Sequence, residues 1–251
     1  MVVRLIAFLF LVPALMAQRE SAAAHPRQVT VPFVGCAAQG QLEDFKAPAG
    51  TPHLVTISAE NAQKLAYYRA AIDLGVLAPR GWHCEGSSGS SGDAIWLSPE
   101  PINRHAPGWN GFAGPAIEIY HISSGASGMY EVAELLARVF REYKDRAAPV
   151  LAMVERPVPS GPYPEDALTY RSKSVVEFRT PPMAEGLGTH STWLRKSDLP
   201  VFGAVIMLDK RRSSEELPDM LLLAVRLPPV LQQLAPVILR DAEREAVIPA
   251  R

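Results

Sequence analysis

Neither sign of charge dominates this chain: 25 Lys and Arg face 26 Asp and Glu, a formal net charge of -1. Without a large positive field, coating of nucleic acid or adhesion to an anionic membrane surface lacks its main driving force, and no nucleic-acid partner is expected. Long apolar runs are scarce too. Beyond residue 24 the longest, residues 201–208 and 220–225, have strand length, so no membrane span is expected in the mature chain. Five of the six histidines, at positions 53, 83, 105, 121 and 190, are scattered with no pair at ligand spacing on a convincing helix, so no metal and no cofactor is expected. What is present, 48% hydrophobic and 20% charged residues, excludes intrinsic disorder as the main description. The 23 prolines and 17 glycines are too few for a collagen-like chain and enough for many turns.

Residues 1–24 read as a secretory signal peptide. Arg4 supplies the positive start, residues 5–16 are an apolar run of 12, and small residues follow. A spanning helix needs about 20 apolar residues, whereas this run soon meets Gln18, Arg19 and Glu20. Cleavage follows Ala17 or Ala24, and the product is expected to be soluble and periplasmic or secreted. Export decides how the only two cysteines are read: in an oxidising compartment they pair, and Cys36 to Cys84 is the one connectivity available. Across 48 positions the closed loop corresponds to about 4 kcal/mol in the chain-entropy model. The competing reading, a Cys84 thiolate activated by His83, is weak because strand neighbours point to opposite faces.

Hydrophobic periodicity organises the rest. Val29, Val31 and Phe33 lead as a strand toward Cys36, and Leu54, Val55 and Ile57 form another. Ser58 caps a helix beginning at Ala59 and ending at Gly75, while residues 75–114 have loop character apart from a strand over 94–97. Residues 116–122 read as a strand with Ile117 and Ile119 opposite Glu118 and Tyr120. Val132, Leu135, Leu136, Val139, Phe140 and Tyr143 form the stripe of one core-covering helix over 129–146. Prolines 157, 159, 162 and 164 mark a connection without helix. Val175, Val176 and Phe178 form a strand, residues 186–189 a turn, and residues 201–208 and 220–227 a strand pair buried on both faces. A helix over 230–246 is kinked or restarted by Pro236. The expected fold is α+β, a mostly antiparallel sheet covered by two or three helices with one N-terminal disulfide. Its expected units are 25–148, a proline-rich connection at 149–165 and a β-β-β-α unit at 166–251, or one continuous domain.

Two constellations bear on chemistry. Residues 86–92 read Gly-Ser-Ser-Gly-Ser-Ser-Gly, a segment whose amides and small side chains suit a ligand contact or a surface hairpin. It matches neither the hydrolase nucleophile turn nor a nucleotide-binding loop. Ser88 or Ser91 with His83 and Asp93 nonetheless supply the residue types of a serine hydrolase. Trp82, Trp96 and Trp109 share this region and offer rings that stack on a sugar or peptide, or else pack around the disulfide. The expected ligand-contact set is therefore Trp82, Ser88, Ser91, Trp96 and Trp109, with no catalytic residue assigned.

Val34-Gly35-Cys36, Gly75-Val76-Leu77-Ala78-Pro79-Arg80-Gly81-Trp82 with Cys84, and the 86–92 segment resemble a group of exported bacterial proteins without an assigned activity. Gly186-Leu187-Gly188-Thr189 and residues 223–229 look similar to the same group. The resemblance implies an exported, disulfide-paired protein and carries over no site residue. The resulting expectation is a noncatalytic envelope or ligand-binding protein whose partner is an unidentified envelope ligand or protein; the alternative is a secreted or periplasmic serine hydrolase.

Overall fold

The computed structural model describes residues 25–208 and 216–247. The signal read over residues 1–24 lies outside the described residues. Thirteen strands and five α-helices are described: β1 Arg27–Val31, β2 Phe33–Cys36, β3 Ala38–Gln39, β4 His53–Ile57, α1 Ala59–Lys64, β5 Leu65–Ala70, β6 Gly75–Pro79, β7 His83–Gly89, β8 Gly92–Ser98, β9 Ala116–Ile122, α2 Met129–Val139, α3 Lys144–Ala152, β10 Ala167–Tyr170, β11 Val175–Thr180, α4 Leu187–His190, β12 Val201–Leu208, β13 Asp219–Arg226 and α5 Ala235–Val247.

The centre is an eight-stranded sheet in the order β10-β11-β12-β13-β9-β8-β7-β3, antiparallel throughout except for β3 beside β7. Strand β9, from the first half of the chain, pairs along its whole length with β13 from the second, so one sheet runs through both halves. Successive residues alternate between two apolar cores. Ile95, Leu97, Ile117, Ile119, Leu221, Leu223 and Val225 point into one, which α5 and the strands β5 and β6 complete. Trp96, Ile122, Leu222, Ala224, Val176 and Phe178 point into the other, with Val132, Leu135 and Leu136 of α2 and Leu151 of α3. Burial of both faces explains the unbroken apolar runs of β12 and β13. The three-stranded sheet β2-β5-β6 and the pair β1-β4 stand apart from the central sheet.

The disulfide joins Cys36 to Cys84, with a Cα separation of 5.5 Å. It thereby ties β2 of the small sheet to β7 of the large one. Cys36 belongs to the first core, against which Cys84 and half-buried Trp82 pack, whereas Trp96 belongs to the second core and Trp109 packs against that one.

Five local expectations change. The helix expected over 59–75 ends at Lys64. Ser58 does cap it, accepting from the Asn61 amide at 3.2 Å, but Leu65 to Tyr68 become β5 because β2 and β6 flank them and bury all four. Pairing there outweighs helix propensity, which is a weak prior. The helix expected over 129–146 breaks at Phe140, whose φ of -118° and ψ of 87° are not helical, and α3 follows a single 3-10 turn. This kink lets Phe140 and Leu151 enter the same core from two directions. Helix α3 also runs through Pro149, into the stretch expected to be helix-free. The loop character expected from residue 75 gives way to β6 and β7, while the glycine-serine segment forms the expected hairpin, β7 turning into β8 through Ser90 and Ser91. Gly92 makes that turn possible: its φ is +139°, and a Cβ there would lie 1.9 Å from the His121 carbonyl oxygen. Residues 187–190, expected as a turn, form the short helix α4.

Candidate functional site

A cavity of about 610 Å³ opens on the second-core face of β7, β8 and β9, within the usual range for a small-molecule site. Cross-strand register builds its floor row by row. Glu85, Trp96 and Glu118 lie side by side, then Ser87, Ala94 and Tyr120, then Gly89, Gly92 and Ile122. The small residues of the middle rows leave the hollow: a Cβ added at Gly89 would meet nothing nearer than Gln41 at 3.5 Å. The walls are Glu131, Glu134 and Leu135 of α2, the segment 190–193 after α4, Arg104 and Arg156.

Glu118 is the floor's distinctive group. It is 2% exposed and accepts a hydrogen bond from the Trp193 amide at 2.6 Å. Burial pushes its carboxyl up to about 7, Glu131 adding to the effect while the Trp193 amide, the Trp96 indole and Arg104 oppose it. Burial also raises the neighbouring Tyr120 hydroxyl, again with Glu131 contributing. The Trp96 indole, 4% exposed, acts through its buried Nε1–H on the Glu118 carboxyl of the neighbouring strand, outside regular hydrogen-bond geometry. Its ring face is covered by the Arg104 guanidinium at 4.0 Å, which pairs with Glu85 at 3.0 Å.

Trp193 forms the rim. It is 47% exposed, and its ring lies 5.1 Å from that of Trp109, which meets Phe112 edge-on at 5.7 Å. Backbone bonds hold this rim: the Phe112 amide donates to the Trp193 carbonyl at 2.7 Å and the Arg195 amide to the Phe112 carbonyl at 2.9 Å. The close approach requires glycine at 111, where φ is +109° and a Cβ would lie 2.4 Å from the Trp193 oxygen. Beneath, the fully buried Arg226 donates from Nη1 to the carbonyls of Phe112 and Gly114, at 3.1 and 3.3 Å, and from Nη2 to that of Arg195. A lysine has one point charge where this fork spans two loops. Arg226→Lys is therefore expected to cost about 1–2 kcal/mol by leaving carbonyls without donors. Urea unfolding would measure that cost, and red-shifted tryptophan emission would report the loosened rim; an unchanged midpoint and spectrum would remove Arg226 from this role.

Of the residues expected to contact ligand, Ser91 and Trp96 line the cavity and Trp109 backs its rim. Trp82 packs instead against the disulfide-side core. Ser88 alternates with the cavity-lining Ser87 and Gly89, so its side chain points to the opposite face. Asp93 is on that face too, with His121 Nδ1 at 3.8 Å. His83 opens β7 and pairs with Ser98, five residues from Ser88, a span of about 17 Å at strand rise. The serines, His83 and Asp93 are thus not assembled into a catalytic group, and Cys84 is no thiolate because it is bonded to Cys36. The residues the sequence reading missed are Glu118, Tyr120, Glu131 and Trp193. The available signal was Glu118 itself, a lone acid between two isoleucines on a strand whose other face is apolar.

Comparison with protein-family models, curated proteins and solved structures finds no match. Among the described residues no helix is long and apolar enough to cross a membrane, and no cluster of three metal-ligating side chains occurs.

Proposed function

We propose that this chain is an exported envelope protein, periplasmic or secreted, that binds a small polar ligand noncovalently in the cavity over β7, β8 and β9. One observation carries the reading. A nearly buried carboxyl, Glu118, with no Lys, Arg or His within 4.0 Å among the described residues, lies at the floor of a cavity whose rim is a half-exposed tryptophan. Buried polar groups are ordinarily paired within the fold, and pockets ordinarily combine apolar walls with a few convergent polar groups. The Cys36–Cys84 bond is compatible with an oxidising compartment. The hydrolase alternative has no comparable support, since His83 is out of reach of Ser88 along β7.

Titration of the mature chain with soluble saccharides, followed by tryptophan fluorescence, is expected to give saturable binding without chemical change of the ligand. Trp193→Ala is expected to abolish that saturation while shifting stability by less than about 1 kcal/mol, because the ring is half exposed. Binding that ignores Trp193→Ala would place the ligand elsewhere. Trp96→Ala is no substitute for this variant: Trp96 belongs to the second core, so its removal tests the fold.

A further inference from the structure

The charged groups around the cavity are unevenly matched. Glu134 meets Arg138 at 3.1 Å, Arg156 at 3.6 Å and His190 at 3.9 Å, and Glu85 meets Arg104 at 3.0 Å. Both guanidinium groups that line the cavity are therefore already engaged. Glu118 and Glu131 are different: among the described residues neither forms a salt bridge with Lys, Arg or His within 4.0 Å, and Glu131 raises the cost of ionising Glu118. One stands on the floor and the other on the α2 wall of the same cavity. Beside them Ser87, Ser91 and Thr192 line the cavity, and Trp193 presents its ring at the mouth.

A ligand that answers all of these groups carries a positive charge for the two carboxyls, hydroxyls for the serine and threonine side chains of the lining, and an apolar face for the tryptophan ring. A free carboxylate or phosphate on the ligand would instead face two acids without a spare cation, a like-charge contact that is unfavourable in a partly dry site. We propose that the cavity binds a small polyol bearing a free ammonium group, an amino sugar, with the ammonium held by Glu118 and Glu131 and the apolar face of the ring against Trp193. This rests on the ligand-binding reading above and adds the charge of the ligand to it.

The test uses three sugars of similar size on the mature chain at pH 7: glucosamine, N-acetylglucosamine and glucuronic acid. Ligand-observed NMR is expected to show saturable binding of glucosamine alone. Glu118→Gln and Glu131→Gln, which keep shape and remove charge, are each expected to weaken it by about tenfold, the size of one charge-assisted hydrogen bond. Glucosamine that does not bind, or that binds equally well to both glutamine variants, overturns the proposal. Binding of N-acetylglucosamine that is lost in Trp193→Ala would overturn the ammonium assignment and leave the ligand-binding reading standing. Failure of all three sugars to bind would overturn both.

Discussion

Replacing both cysteines, Cys36→Ser with Cys84→Ser, is expected to lower the unfolding free energy by about 4 kcal/mol. The bond closes a loop of 48 positions, and opening it returns that loop's conformational entropy to the unfolded chain. The loss is large against the roughly 5–15 kcal/mol of a typical domain. It is also local in its consequences. The bond ends β2, and β3 follows at once as the two-residue edge strand beside β7. Gln39 of β3 reaches His105 at 2.7 Å and Arg104 at 3.3 Å, and Arg104 covers the Trp96 ring. The double variant is therefore expected to loosen one cavity wall as well as the edge strand. Urea unfolding of the oxidised protein and the variant measures the first effect. A difference below about 1 kcal/mol would mean that the crosslink constrains little that the fold does not already hold.

Glu118→Gln is expected to stabilise the protein at pH 8 by up to about 3 kcal/mol and to have little effect at pH 4. In the unfolded chain a glutamate titrates near 4.3, whereas burial holds the Glu118 carboxyl up to about 7 in the fold. Between those values the folded state carries the extra proton, so stability falls as pH rises through the window and stays reduced above it. Glutamine has no such proton to lose and keeps an oxygen for the Trp193 amide. Asp241 and Glu243, raised by burial to about 6 and about 7 respectively, tilt the whole protein in the same direction. The difference between wild type and Glu118→Gln isolates the one group. Equal pH slopes for the two proteins would show that Glu118 is not held protonated. A variant more stable at pH 8 yet unable to bind glucosamine would be the signature of a residue kept for function at the expense of stability.

Much of the architecture was legible because burial leaves periodic traces. Strands β9 and β12 occupy the residues that alternation and continuous apolarity indicate. The stripe Val132, Leu135, Leu136, Val139 and Phe140 is buried as its spacing requires, Ser58 caps α1, and Pro236 falls in the first turn of α5 after a 3-10 segment. What misled was local pattern without knowledge of neighbours. Leu65 and Ala66 suit a helix face equally well, and only flanking strands make them β5. Gly86 to Gly89 look like a loop because small residues usually mark one, but here Ser87 and Gly89 are small where β7 floors a cavity and Gly86 is small where Ala38 of β3 packs on it. Trp193 lies 97 positions from Trp96, so no window of sequence placed them at the same opening.

The residues alone determined the partner of each cysteine, the alternation that gives the central strands two apolar faces, and the near balance of positive and negative charge. These are counts and short-range periods, which any folded arrangement of the chain must respect. Tertiary structure decided which acid is dry and which cation it lacks. Glu118 has an unusual proton affinity only because β9 lies between β8 and β13, α2 brings Glu131 over it, and the Phe112–Leu194 bridge lowers Trp193 onto its oxygen. Desolvation is set by atoms distant in sequence, and no local pattern of residues records it.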